Sequence, residues 1–301
     1  MACEGTLIGE ISALGAALCW AISSAMTKSL SGKVEPLSLN FIRCTGAALI
    51  LWAILPFYQG VDGFSFIPAQ ALFYLAFSGL LGMSIGDTLY IQGLRLINVT
   101  LAFPIAQAAT PLLTVVTAVF FLSEEITKAF LLGTVLVLSG VYLVAIPAGT
   151  TVRSLGPPFE KRGTGIVLIL IASLFWTVSI AFLKLGLQEV DPFLANSIRL
   201  PISAMALLPL VFFEKSFPEA AGSSKPRLVV LGSLTGFLAF GLGGLLFLTA
   251  IQNAGAGKAI VLTSCAPLLG LPISVFFLKE EVTRRILAGT ILVVMGMTLV
   301  F

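Results

Sequence analysis

Marked for hydrophobic and polar positions, the chain is a series of long apolar runs divided by short polar breaks. Ten runs approach or exceed 20 residues: 8–29, 36–58, 70–94, 99–122, 127–146, 164–186, 192–213, 227–251, 257–278 and 284–301. A helix of about 20 residues crosses the roughly 30 Å hydrocarbon core of a bilayer. The runs are continuous and do not alternate with period two, so they predict membrane helices and not barrel strands.

The pattern repeats. "PLSLNFIR" at 36–43 returns as "PFLANSIR" at 192–199, and an offset of 156 aligns the two halves without a gap. Trp20 falls on Trp176, Lys28 on Lys184, Pro36 on Pro192, Asn40 on Asn196 and Arg43 on Arg199. Pro111 falls on Pro267, Glu124-Glu125 on Glu280-Glu281, Gly133 on Gly289 and Gly140 on Gly296. The expected organisation is therefore two five-helix units, residues 1–146 and 164–301, joined by the linker 147–163, "PAGTTVRSLGPPFEKRG". Five is odd, so the second unit begins on the opposite side of the membrane from the first. The predicted fold class is an all-α integral membrane protein whose ten transmembrane helices form two inverted five-helix repeats. That plan is frequent among secondary transporters, because two similar halves can exchange conformations around a central site.

Composition agrees. Of the 301 residues, 58% are hydrophobic, only 10% are charged and none is histidine. A soluble domain carries about 25% charged residues, so most of this surface must face lipid. The net charge of +3 is too small for a nucleic-acid binder. Cys3, Cys19, Cys44 and Cys265 are scattered and make neither a disulfide framework nor a metal-ligand spacing. The opening "MACEGTLIGE" lacks the positive region of a secretory signal. "GMSIG" at 82–86 matches a nucleophile-elbow pattern, but it lies within a helix and the chain has no histidine to serve as base. "GAGK" at 255–258 lacks the rest of a phosphate loop. No enzyme, metal or cofactor is expected, and energy for uphill movement would come from a gradient.

Over nearly its whole length the chain resembles the drug/metabolite transporter superfamily, specifically its EamA-type members with two five-helix domains. The residues that carry the resemblance are Trp20 and Lys28, Pro36 and Arg43, then Pro111 ahead of Glu124-Glu125, Gly133 and Gly140, each with its partner in the second half. One departure is Trp20-Ala21 and Trp176-Thr177, where relatives often carry Trp-Gly. The resemblance implies a secondary transporter that exports or exchanges a small organic metabolite, such as an amino acid or related solute. It also implies a multi-pass protein of the prokaryotic plasma membrane, monomeric or homodimeric. A flippase for a lipid-linked substrate is the rival within the superfamily, and a non-transporting intramembrane protein is the rival outside it.

Polar residues inside the runs are the candidates for chemistry, because a charge at mid-membrane costs about 2.5–3.5 kcal/mol on the insertion scale. Arg43 lies about 10 Å inside the face where the first run ends, at a depth matched by Asp87 in the third run. Arg199 lies equally deep from the opposite face, where Glu10 is the nearest acid, while Gly243 stands at the counterpart of Asp87. Two gating pairs are expected, Arg43–Asp87 and Arg199–Glu10. The two acids have no counterparts in the other half, which makes Asp87 and Glu10 the candidates for proton coupling.

Trp20, Ser23, Ser24, Thr27 and Lys28 share one helical face, echoed by Trp176, Ser179 and Lys184. That face should look into the bundle. Pro104 and Pro111 in the fourth run, and Pro267 and Pro272 in the ninth, predict broken helices around a midplane site. Gln107, Thr110, Thr263 and Ser264 are the uncharged ligand candidates there, with Lys258 as the candidate attractor for an anionic group. Loops on the face where the first run ends hold most of the Lys and Arg residues. The positive-inside rule then places both termini outside, whereas the family resemblance implies cytoplasmic termini.

Overall fold

The computed structural model describes residues 2–31, 33–58, 67–97, 99–121, 127–145, 159–213, 226–266, 268–269 and 284–300. Among them the chain forms ten helical segments. The first half contributes α1 (Ala2–Ser31), α2 (Pro36–Tyr58), α3 (Ala69–Leu96), α4 (Val99–Phe121) and α5 (Lys128–Ala145). The second contributes α6 (Phe159–Gly186), α7 (Pro192–Phe212), α8 (Pro226–Ala254), α9 (Ala256–Thr263) and α10 (Arg284–Val300). Six of these are long and apolar enough to cross a membrane, and α4, α5 and α10 contain shorter apolar stretches. The Glu-Glu motifs, Pro267, Pro272 and most of the linker lie outside the described residues.

Local chemistry sets the boundaries. Pro36, Pro192 and Pro226 open their helices, where a missing N–H costs nothing. Asp191 caps α7 by accepting from the N–H groups of Phe193 (2.9 Å) and Leu194 (3.2 Å). Gly255, at φ 87°, ends α8 and lets α9 start at once; a side chain would be strained in that conformation.

The outer surface is apolar, with Phe57 89% and Phe213 88% exposed, as expected for a lipid-facing wall. Inside, helices pair across the two halves. Helix α1 packs on α8 as α3 packs on α6, and α2 packs on α8 as α7 packs on α3. Likewise α4 packs on α6 as α9 packs on α1. Each contact maps onto its partner under the 156-residue offset.

The self-paired helices run antiparallel. Tyr58, at the end of α2, stacks on Phe193 at the start of α7, and the indole N–H of Trp52 donates to the Ser197 carbonyl at 2.9 Å. Gly133 meets Gly296 and Gly140 meets Gly289 along α5 and α10. A Cβ at Gly133 would lie 2.6 Å from the Gly296 carbonyl oxygen, so this small-residue stripe serves an internal seam.

The break expected in α4 is absent. Helix α4 is uninterrupted from Val99 to Phe121 despite its two prolines. The irregular segments are π-helical turns at Gly79–Gly86 in α3 and Phe237–Leu242 in α8, at corresponding positions. Glycines at 79, 82 and 86, and at 236 and 243, remove the side-chain bulk that would keep neighbouring helices off these widened turns. The α-helical part of α9 does end at Thr263, before a turn at Ser264–Cys265.

Candidate functional site

A wider π turn loosens the i→i−4 ladder and leaves carbonyls in need of donors. The repeated asparagines supply them. Asn40 donates to the Met83 carbonyl at 2.8 Å and to the Thr88 hydroxyl at 3.0 Å. Asn196 donates to the carbonyls of Phe240 (2.7 Å) and Gly241 (3.3 Å). Both asparagines are fully buried, so the phrase that recurs at 36–43 and 192–199 clamps each π turn to the preceding helix.

Between the two clamped turns lies a cavity of about 210 Å³, walled by α1–α4 and α6–α9. Of the residues singled out from sequence, Trp20, Ser24, Arg43, Asp87, Gln107, Thr110, Trp176 and Arg199 line it together. Ser23, Thr27 and Ser179 from the predicted helical faces line it too, whereas the side chain of Lys28 lies outside the described residues. Glu10, Lys258, Thr263 and Ser264 are not in its wall. Thr263 and Ser264 instead donate to the Ile260 carbonyl, each at 2.9 Å, which satisfies their hydroxyls within α9.

The charged groups at the site come from both halves. The Arg43 guanidinium lies 3.9 Å from Asp87 and sits over the Phe240 ring, 4.4 Å from its centroid. The expected Arg43–Asp87 pair is therefore present, although longer than a direct hydrogen bond. The expected Arg199–Glu10 pair is not. Glu10 pairs with Lys258, joining α1 to α9, and Arg199 Nε donates to the Ser78 hydroxyl at 3.1 Å. Depth from the membrane face suggested the wrong partner because it ignores the direction in which each side chain leaves its helix.

A serine network holds Arg199. Ser179 donates to the Ser78 carbonyl at 2.7 Å, and the two hydroxyls lie 3.1 Å apart. Ser84 donates to the Ser203 carbonyl at 3.2 Å, a structural use for the serine of "GMSIG". In the other half, Ser23 donates to the Thr235 carbonyl at 2.9 Å.

The two tryptophans differ in a way that follows from sequence. Trp176 packs against Gly86, faces the Asp87 carboxylate and contacts the Tyr90 ring at 5.1 Å. Trp20 packs against Gly243, where no carboxylate exists, and donates to the Ala239 carbonyl at 2.9 Å. Asn40, Asn196, Tyr90 and Phe240 escaped selection from sequence; the recurrence of the asparagines was the available signal. Among the described residues, no group of three His, Cys, Asp or Glu side chains could hold a metal ion.

Ten apolar helices, eight of them walling a cavity that holds two arginines and an aspartate, form a multi-pass membrane protein. The chain belongs to the EamA-like transporter family, whose model matches residues 7–146 and 163–301. It is 25% identical over 291 residues to an uncharacterized transporter of Archaeoglobus fulgidus, covering 95% of each chain. It is also 29% identical over 136 residues to the uncharacterized transporter YvbV of Bacillus subtilis, covering 45% of this chain and 44% of the relative. A solved crystal structure shares the fold with a TM-score of 0.74 at 20% identity, covering 98% of this chain and 96% of the other.

Proposed function

We propose that the protein is a secondary transporter of a small organic metabolite, working by alternating access as an exporter or exchanger in a prokaryotic plasma membrane. The observation that carries this is the cavity: two repeat-related helix sets enclose it, and both repeat arginines reach it. The repeats are residues 1–146 and 164–301, inverted relative to each other, with 147–163 as the connection. Antiparallel pairing of α2 with α7 and of α5 with α10 supports the inversion. Such halves can exchange conformations, closing one end while the other opens.

Asp87 is the coupling and gating carboxylate in this scheme. It is the acid in the cavity wall among the described residues, and its counterpart is Gly243. Arg43 holds it in one state and releases it in the other. Trp20, Trp176, Ser24, Gln107 and Thr110 contact the solute, while Glu10 and Lys258 act at the end of the pathway formed by α1 and α9.

Counterflow in proteoliposomes tests the function. Vesicles preloaded with one member of a metabolite panel should accumulate the same labelled solute, and neither Arg43→Asp nor Asp87→Arg alone should support it. The double exchange should recover part of the rate. Absence of counterflow across the panel, with lipid-probe movement in its place, would replace this function with flipping.

A further inference from the structure

The chemistry of the wall narrows the solute. Two guanidinium groups and one carboxylate share a cavity inside an apolar shell, leaving one net positive charge when all three are ionised. Uncompensated charge at this depth is costly, so a bound solute with one negative charge stabilises the assembly.

The hydrogen bonding points the same way. Arg43 Nε is buried without a hydrogen-bond partner, as are the hydroxyls of Thr27 and Thr110. Arg43 is 6% exposed, and Thr27 and Thr110 are each 5% exposed. All three line the cavity. A buried donor left without an acceptor costs about 1–3 kcal/mol, more when charged, and an anionic oxygen is the acceptor that removes the cost. Arg199 Nε already donates to the Ser78 hydroxyl whereas Arg43 Nε has no acceptor, so Arg43 is the anchor.

The cavity is also two-ended. Ser24, Thr27, Asp87, Tyr90, Gln107 and Thr110 supply the polar groups of the part toward the end of α1, beside Ile91 and Leu94. The opposite part, toward the ends of α6 and α8, is lined by Leu183, Phe247, Leu248 and Ile260. The offset turns polar into apolar, since Ser24 and Thr27 correspond to Ile180 and Leu183. A hydroxyl or amide placed in that apolar part would lose its hydration unpaired. Sugars and nucleotides, polar along their whole length, therefore fit poorly. The volume is below the roughly 300–1,000 Å³ of pockets for drug-sized ligands.

We infer that the solute is a small amphipathic monoanion. Its carboxylate, or a comparable anionic group, lies on Arg43 between Thr27 and Thr110, and its apolar body lies against Phe247 and Leu183. Asp87 competes with that carboxylate for Arg43. This inference rests on the transporter function proposed above and specifies its substrate.

The test uses the purified full chain and four probes at neutral pH: isocaproate, its amide isocaproamide, isoamylamine, and lactate as an acid without an apolar body. Isocaproate should raise the melting temperature at concentrations at least tenfold below those needed by the other three. Asp87→Asn should strengthen that response, and Arg43→Gln should abolish the advantage of acid over amide. If Arg43→Gln does not fold, Arg43→Lys should fold and keep a reduced preference for the acid. Equal response to acid and amide, preference for the amine, a lactate response equal to that of isocaproate, or no response to isocaproate overturns the assignment. So does a folded Arg43 variant with undiminished preference. Counterflow separates the two proposals: uptake of only neutral or cationic solutes removes the substrate class and keeps the transporter. Binding of isocaproate with no counterflow of any panel member does the reverse.

Discussion

At the scale of single residues, the backbones of the two arginines are fixed by glycines from the opposite half. A Cβ at Gly236 would lie 2.0 Å from the Arg43 carbonyl oxygen, and one at Gly79 would lie 2.7 Å from that of Arg199. Nothing flexible stands in the way, so the helices themselves must part. Gly236→Ala should lower stability by at least the roughly 1–3 kcal/mol typical of overpacking, read as a fall in the melting temperature of the purified protein. Gly163→Ala is the matched control. Its Cβ would meet nothing within 4 Å, and a helical alanine in place of glycine should stabilise by about 0.5–1 kcal/mol. Equal melting temperatures for the two variants would show that helix contact at Arg43 is looser than the geometry indicates.

At the scale of elements, the asparagine clamp explains why two irregular helices survive in an apolar bundle. Removing Asn40 leaves the Met83 carbonyl without the side-chain donor that now reaches it, and removing Asn196 does the same to Phe240. Each alanine substitution should cost about 1–3 kcal/mol. By contrast, Ser29→Ala, which removes an exposed bond to the Met26 carbonyl, should leave the melting temperature almost unchanged. If Asn40→Ala melts with the wild type, the π turn does not depend on the clamp.

The same elements show what the sequence made legible. Helix positions followed from runs of apolar residues, and the starts at Pro36 and Pro192 matched because proline chemistry is local. The π turns were missed because widening shifts backbone hydrogen bonds by one residue and leaves hydrophobicity intact; glycine spacing was its trace. The prolines of α4 misled for the converse reason. A proline removes one N–H donor, but packing can hold the helix on course through that position.

At the scale of the whole molecule, repeat symmetry identified the residues that converge and failed where the halves differ. Arg43 with Arg199, and Trp20 with Trp176, were found as pairs and meet at one cavity. The Glu10–Lys258 contact was missed because its offset counterpart, Ile166 beside Ala102, is apolar and gave no echo. One end of the bundle is thus joined by an ion pair between α1 and α9. At the other, α6 and α4 pack through apolar side chains, with Ala102 fully buried, and the ion pair there, Arg95–Glu35, is exposed between the end of α3 and the start of α2.

If exchange between the two ends drives transport, loosening the ion pair should open its end without disturbing the other. The prediction can be read in a variant whose native cysteines are alanine and whose Ile260, a cavity residue one turn beyond the start of α9, is cysteine. Adding Glu10→Gln should raise the rate at which a water-soluble thiol reagent modifies that cysteine several-fold. Exchanging the charges, with Glu10→Lys and Lys258→Glu together, should return the rate toward that of the parent. A rate indifferent to Glu10 would mean that the α1–α9 contact is a fixed strut, and that the moving contact lies at the apolar end.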